Sequence, residues 1–225
     1  MTADVEGLLQ GQRAAVAVTG PPYNVNYGGH GGAARGNRRT IVNDSLRPAE
    51  WESFVRAWSK LLLSHVDGAV YVFMSSLEWP LVCRLLSEAG GHWSDTIIWM
   101  KDQFTLGRAD YQRQYEPVWY GWRTGTKHHW CGDRDQGDVW QFPKPSASEL
   151  HPTMKPVGLI ERAIANSSPP GAIVLDLFAG SGTTIIAAER QGRTCYALEL
   201  EPAYVQVALE RWKQYTGREP ELEEG

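Results

Sequence analysis

The sequence predicts an α/β protein built on a mostly parallel sheet with helices on both faces. Three observations carry this. Short apolar runs, such as AAVAV and AVYVFM, alternate with segments whose apolar residues recur at helical spacing. The runs are apolar at odd and even positions alike, as strands covered on both sides must be. The polar and glycine-rich stretches come directly after these runs, where parallel sheets hold their ligands.

The elements follow in order. Residues 3–9 read as a short helix. Residues 14–19 form a buried strand, stopped by Gly20-Pro21-Pro22 because proline donates nothing to a ladder. Residues 28–37 are a glycine-rich polar loop. Residues 48–64 place Trp51, Phe54, Val55, Trp58, Leu61 and Leu62 on one helical face. A strand at 69–74 and a helix at 77–89 follow, the helix ended by Gly90-Gly91. Residues 96–100 and 118–122 give two further strands. Past Lys101 the apolar periodicity fades, and 124–145 reads as an irregular insert on one side of the sheet. A helix at 156–166, a strand at 172–177, a helix at 182–191, a strand at 194–198 and a helix at 202–215 complete the chain. No internal repeat interrupts this order, and 225 residues suit a single domain spanning 1–225.

Composition narrows the classes. Apolar residues make up 42%, enough for a sizeable core, yet no run of eighteen could cross a membrane. The first ten residues lack the layout of a signal peptide. Three scattered cysteines argue against a disulfide framework and fit a reducing, cytoplasmic setting. The net charge of −4 owes much to the last nine residues, which hold one Arg and four Glu. The rest is nearly neutral, so Arg35, Arg38 and Arg39 in the glycine-rich loop, with Arg108 and Arg113 among aromatics, form either a local basic surface for DNA or ordinary solvated charges. His128, His129 and Cys131 lack the second pair that a metal site needs, so no metal is expected.

VLDLFAGSGTT, residues 174–184, is a strand running into a glycine turn and then a helix. Gly180 and Gly182 let the backbone turn and approach a ligand closely. Asp176 at the strand end suits a cationic or hydroxyl group, and Glu199 at the tip of the next strand suits a ribose diol. No dinucleotide or P-loop fingerprint is met, and an acid ahead of the glycines would repel a pyrophosphate. An amine-bearing nucleoside without phosphates, S-adenosylmethionine, fits better; a tight strand-helix corner without a ligand is the alternative.

TGPPYN (residues 19–24), HPTMKP (151–156) and VLDLFAGSGTT with LELEPAYV (198–205) together resemble the motif set of the DNA amino-methyltransferases, which methylate adenine N6 or cytosine N4. The order, Pro-Pro-Tyr corner first and glycines last, is similar to the permuted beta class. The stretches LGRADY and YEPVWYGW add a likeness to prophage-type adenine-specific methylases of restriction-modification character. The resemblance covers nearly the whole chain. It implies a Rossmann-like methyltransferase fold with circularly permuted motif order, S-adenosylmethionine as cofactor and DNA as partner. It places catalysis at Gly20, Pro21, Pro22, Tyr23 and Asn24, with the Pro21 carbonyl accepting from the amine and Tyr23 stacking on a flipped base. It places cofactor binding at Thr153, Lys155, Asp176, Phe178, Ala179, Gly180, Ser181, Gly182, Thr183 and Glu199. Arg108 and Arg113 in LGRADYQRQYEP either line the DNA cleft on phosphates or belong to an ordered loop packed by Tyr111 and Tyr115; the 124–145 insert is a short target-recognition segment, which leaves specificity either low or supplied by a homodimer partner.

The chain departs from this pattern twice. The family carries Asp, Asn or Ser where Gly20 stands, and losing one acceptor in a desolvated site costs about 10²–10³ in rate. Three accounts compete: a relative that binds without turnover, a water in the space, or a substitute carboxylate such as Asp44. The relatives also open with a strand and a Gly-Asp pair ahead of the first helix, so one sheet edge is expected to lie open here. Methyl transfer to RNA or a small molecule is a third functional class.

Overall fold

The computed structural model describes residues 1–26, 41–106, 109–145 and 154–222. The expected loop at 28–37 lies outside them. The elements are α1 (Thr2–Leu9), β1 (Ala14–Thr19), α2 (Pro48–His65), β2 (Val66–Phe73), α3 (Trp79–Glu88), β3 (Gly91–Thr105), β4 (Arg113–Arg123), β5 (Val139–Gln141), α4 (Val157–Ser167), β6 (Ile173–Asp176), α5 (Thr183–Arg190), β7 (Thr194–Ala197) and α6 (Pro202–Thr216).

The strands form one sheet in the order β5-β3-β4-β2-β1-β6-β7. β1 pairs in parallel with β2 and β6, β6 with β7, and β3 with β5; β4 alone runs against its neighbours β2 and β3. The alternation of side chains along each strand feeds two cores. Val70 and Val72 meet Trp51, Val55, Trp58 and Leu62 of α2 and Leu85 of α3 on one face. On the other face Val16, Val18, Tyr71 and Phe73 meet Leu159, Ile160 and Ala163 of α4 and Ala187 of α5. This is the doubly covered sheet that the apolar runs require.

Two expectations are corrected. β3 and β4 extend well past the strands expected at 96–100 and 118–122 and join as an antiparallel hairpin, from Gly91 opposite Arg123 to Thr105 opposite Arg113. A hairpin satisfies its own backbone hydrogen bonds, so its outer part needs no apolar periodicity. The segment at 124–145 is not wholly irregular either: Val139–Gln141 adds a parallel edge strand to β3, anchored by buried Trp140.

The location of that segment matters. The Thr124 N–H donates to Gly90 O at the start of β3, the Cys131 N–H donates to Asn166 O, and the Gln136 side chain bonds that of Asn166 near the end of α4. These contacts put residues 124–136 at the end of the sheet where the parallel strands begin. The Pro-Pro-Tyr corner lies where they finish.

β1 and β2 slip in register between Ala14 and Val16, so Asp67 and Gly68 stand opposite Ala15. A Cβ at Gly68 would fall 1.9 Å from Ala15 O. Gly68→Ala should therefore pry the two central strands apart and cost about 2 kcal/mol, read as a lower urea midpoint. Gly7→Ala in α1, where nothing lies within 4 Å, should gain about 0.5–1 kcal/mol in the same titration.

Candidate active site

β1 and β6 are neighbours, with Ala17 opposite Leu175. The chain therefore leaves the sheet at two adjacent points, Gly20-Pro21-Pro22-Tyr23 after β1 and the glycine turn after β6. Asp176 locks the two together. Its Oδ1 accepts from Thr19 Oγ1 (2.7 Å) and from the Phe178 N–H (3.0 Å), and its Oδ2 accepts from Thr184 Oγ1 (2.6 Å). Burial raises its pKa, while those hydrogen bonds and the Lys155 charge pull it back. Asp176, expected to bind cofactor, ties the two corners together and also lines the recess beside Lys155.

The corner is held from its other side. Asp44, buried, accepts the Tyr23 N–H (2.9 Å) and the Val25 N–H (3.4 Å). Asn24, with φ 55°, accepts the Leu46 N–H on Oδ1 (2.7 Å) and donates to Leu46 O from Nδ2 (3.3 Å). Asn24, expected among the catalytic residues, clamps the following loop. The Tyr23 hydroxyl donates to Glu116 Oε2 (2.6 Å), and Lys101 Nζ donates to Oε1 of the same carboxylate (2.6 Å). Burial, then the Glu116 charge, holds the Tyr23 hydroxyl well above its ordinary pKa, so it stays protonated and donating. The ring is thus fixed at its outer end.

Gly20 has an unexpected neighbour. A Cβ built there would lie 2.5 Å from Lys155 Nζ, so the amine fills the volume a side chain at this position would take. Lys155 faces the rings of Phe73 (5.1 Å) and Tyr23 (5.6 Å). Burial lowers its pKa; Glu116 and Asp176 oppose that, and Lys101 adds to it. A recess of about 60 Å³ beside Gly20 and Lys155 reaches Asp176, Ala179, Ser181 and Thr183, room enough for a water.

A larger cavity of about 400 Å³ opens between the two corners. Gly20, Pro21, Pro22, Tyr23, Lys155, Phe178, Gly180 and Glu199 line it, closed by apolar Leu177 and Leu198. Glu199 accepts the Gly180 N–H on Oε2 (2.7 Å) and the Glu201 N–H on Oε1 (2.9 Å), which aims its carboxylate along the cavity wall. Phe178 is wedged edge-on against Phe54 and Trp58. Gly182 sits behind the turn at φ 77°, where a Cβ would fall 2.6 Å from Ala208 Cβ, so its role is to let α6 close on the turn.

Arg113 stands exposed at the outer end of β4, away from both corners. Thr153, Arg35, Arg38, Arg39 and Arg108 lie outside the described residues. Among the described residues no three His, Cys, Asp or Glu side chains are grouped as a metal site, and no helix is long and apolar enough to cross a membrane. Glu116 and Lys101 were not visible as site residues in the sequence. Each is a single charge within a strand, and only strand pairing brings them to Tyr23.

A family model described as DNA methylase matches residues 14–210. The chain is 28% identical over 181 residues to the DNA adenine methyltransferase YhdJ of Escherichia coli (strain K12), covering 64% of this chain and 60% of YhdJ. It is 32% identical over 137 residues to the type II methyltransferase M.BglII of Bacillus subtilis, covering 54% of this chain and 36% of that protein. The chain thus spans less than two thirds of the length of these relatives. The crystal structure of an M1.HpyAVI-SAM complex superposes with a TM-score of 0.67 at 22% identity, covering 93% of both chains. The cytosine-N4-specific PvuII DNA methyltransferase gives 0.69 at 18% identity, covering 92% of this chain and 83% of that one. At these identities the likeness is one of fold.

Removing the Asp176 carboxylate strands three donors, two of them buried. Asp176→Ala should cost about 3 kcal/mol of stability, measured by denaturant titration. A pH series separates the charge from the hydrogen bonds. Because burial raises this pKa, the folded state holds the Asp176 proton more tightly than the unfolded chain does, whose value is near 3.8. That contribution is present at low pH and fades as pH climbs through the raised value. The wild type should therefore lose stability relative to Asp176→Asn as pH rises above about 4; parallel curves would contradict this.

Proposed function

This chain belongs to the DNA methylase family, and from that premise we propose that it transfers a methyl group from S-adenosylmethionine to the exocyclic amine of a base flipped out of DNA, with adenine N6 as the target. One observation carries the reading: the Pro-Pro-Tyr corner and the glycine turn flank the same cavity.

The cavity suits this cofactor on its own chemistry. Its volume falls within the range of small-molecule sites. Leu177 and Leu198 offer apolar walls for an adenine ring, and Glu199 offers lone pairs to ribose hydroxyls. Asp44 and Glu199 are carboxylates on the wall, which favours a cationic ligand over a phosphate. When bound, S-adenosylmethionine supplies a methyl group activated by a positively charged sulfonium.

The chain's own residues would do the rest. Tyr23, tethered by Glu116, presents its ring as a stacking platform for the extruded base. The rigid Pro21-Pro22 corner holds the Pro21 carbonyl as an acceptor for the amine, whose lone pair must be drawn out of conjugation before it attacks. Positioning and preorganised acceptors are the whole of the protein's contribution. Adenine is favoured by the motif likeness and by the relative YhdJ, named as an adenine methyltransferase.

A second reading has its own observation. At Gly20, where the family carries an acceptor, this chain has the amine of Lys155. A protonated amine donates and repels an N–H, so the site would bind cofactor and base yet turn over slowly.

Calorimetry with S-adenosylmethionine tests the pocket independently of Gly20. Binding should be measurable, and Glu199→Ala should weaken it about tenfold or more. Tritiated methyl incorporation into duplex DNA tests the chemistry. Gly20→Asp should raise the rate at least about tenfold, because the new carboxylate supplies the acceptor and pairs with a lysine tip that is free to shift. An unchanged rate would show that another group already serves as acceptor. Incorporation into RNA or free nucleosides in preference to DNA would refute the reading.

A further inference from the structure

The glycine turn is backed by α6. Gly182 leaves room for Ala208, and Arg211 stands three residues further along the same face of that helix. Its Nη1 donates to Ser181 O (2.5 Å), to Ser181 Oγ (3.0 Å) and to Thr183 Oγ1 (3.3 Å). Among the described residues no carboxylate pairs with it, and burial alone lowers its pKa. The guanidinium also sits at the first turn of α5, the positive end of that helix, where a cation is disfavoured. An arginine so placed is not held by charge pairing.

Its chemistry settles the two hydroxyls. A guanidinium has five N–H donors and no lone pair, so Ser181 Oγ and Thr183 Oγ1 must both accept from it. Each hydroxyl then keeps its own proton to give. Ser181 is 3% exposed and Thr183 7%, and among the described residues neither hydroxyl donates to a protein acceptor. A buried donor without a partner is costly, and two side by side point to an acceptor that arrives with a ligand. Both residues line the recess beside Lys155, which shares Gly20, Lys155, Phe178 and Gly180 with the larger cavity. Two hydroxyl donors and a lysine amine thus border one small space. Asp176 lines it too, which disfavours a phosphate. A carboxylate on a carbon that also bears an ammonium matches both signs, and S-adenosylmethionine ends in that group.

We propose that Arg211 is a positioning residue for cofactor binding: from behind the glycine turn it makes the hydroxyls of Ser181 and Thr183 donors to the carboxylate of S-adenosylmethionine. The proposal rests on the methylase reading above. It adds a residue that lies beyond the Pro-Pro-Tyr, HPTMKP, glycine-turn and LELEPAYV stretches.

The test is calorimetry with S-adenosylmethionine and with decarboxylated S-adenosylmethionine, which differ only in the carboxylate. The wild type should bind the first at least about tenfold more tightly. Arg211→Met keeps most of the stem and removes every donor. It should lose at least about tenfold on S-adenosylmethionine and less than about twofold on the decarboxylated form. A residue that merely held the turn in shape would weaken both alike. Should Arg211→Met fail to fold, as read by circular dichroism, Arg211→Lys repeats the comparison. Its ammonium lacks the rigid fork of the guanidinium, and a selective loss of about threefold or more is expected. Equal losses on the two forms, or none on S-adenosylmethionine, overturn the proposal and leave the methylase reading standing. A wild type that binds the two forms equally does the same. A wild type that binds neither form overturns both.

Discussion

The buried carboxylate of Asp176 is the constraint on which the site depends. It is reached by Thr19 from the end of β1, by the Phe178 backbone from the glycine turn and by Thr184 from α5. Thr19 lies 157 residues away in the chain, so this one carboxylate ties two remote segments together. Strand pairing alone would leave the two corners free to pivot at the sheet edge. A carboxylate whose acceptors are filled from both corners fixes their separation, and with it the width of the cavity. The burial that raises its pKa is the cost, and the hydrogen bonds offset it. Its place at the strand tip serves the architecture, and the same carboxylate lines the recess beside Lys155.

Around that fixed frame the electrostatics are organised by alternation. Lys101 lies against Glu116, Glu116 against the Tyr23 hydroxyl, and Lys155 between the fields of Glu116 and Asp176. The absence of a side chain at Gly20 leaves Lys155 without the partner an acidic residue there would provide, and its amine fills the space itself. Because Lys155 is buried, its charge is screened little by salt. Gly20 therefore changes more than an acceptor count: the Lys155 amine occupies the volume that a side chain at this position would take.

Much of the fold was legible. AAVAV, AVYVFM and AIVLDL carry the strand signal because each is buried on both faces, and the corner residues follow them because parallel sheets bind ligands there. The cavity lining at Pro21, Tyr23, Phe178, Gly180 and Glu199 followed from that rule. What stayed hidden depended on partners remote in sequence. Asn24 looked chemical because it adjoins the corner, yet its amide is spent on Leu46. Glu116 looked like one charge among many until β4 was laid beside β3. The outer hairpin gave no apolar period because its tip has no core to face, and β5 is too short and too near the edge to stand out. The segment at 124–145 could not be assigned to either end of the sheet without knowing that β4 runs backwards.

The reversal of β4 has a consequence for how such a site is assembled. A parallel strand brings only its last residue to the ligand edge and then departs. The antiparallel return brings two chain segments there at once, Lys101 going out and Glu116 coming back. One reversed strand thus supplies the tether that orients Tyr23. The tether is one short, part-buried, charge-assisted hydrogen bond from the Tyr23 hydroxyl to Glu116, whose other oxygen accepts from Lys101.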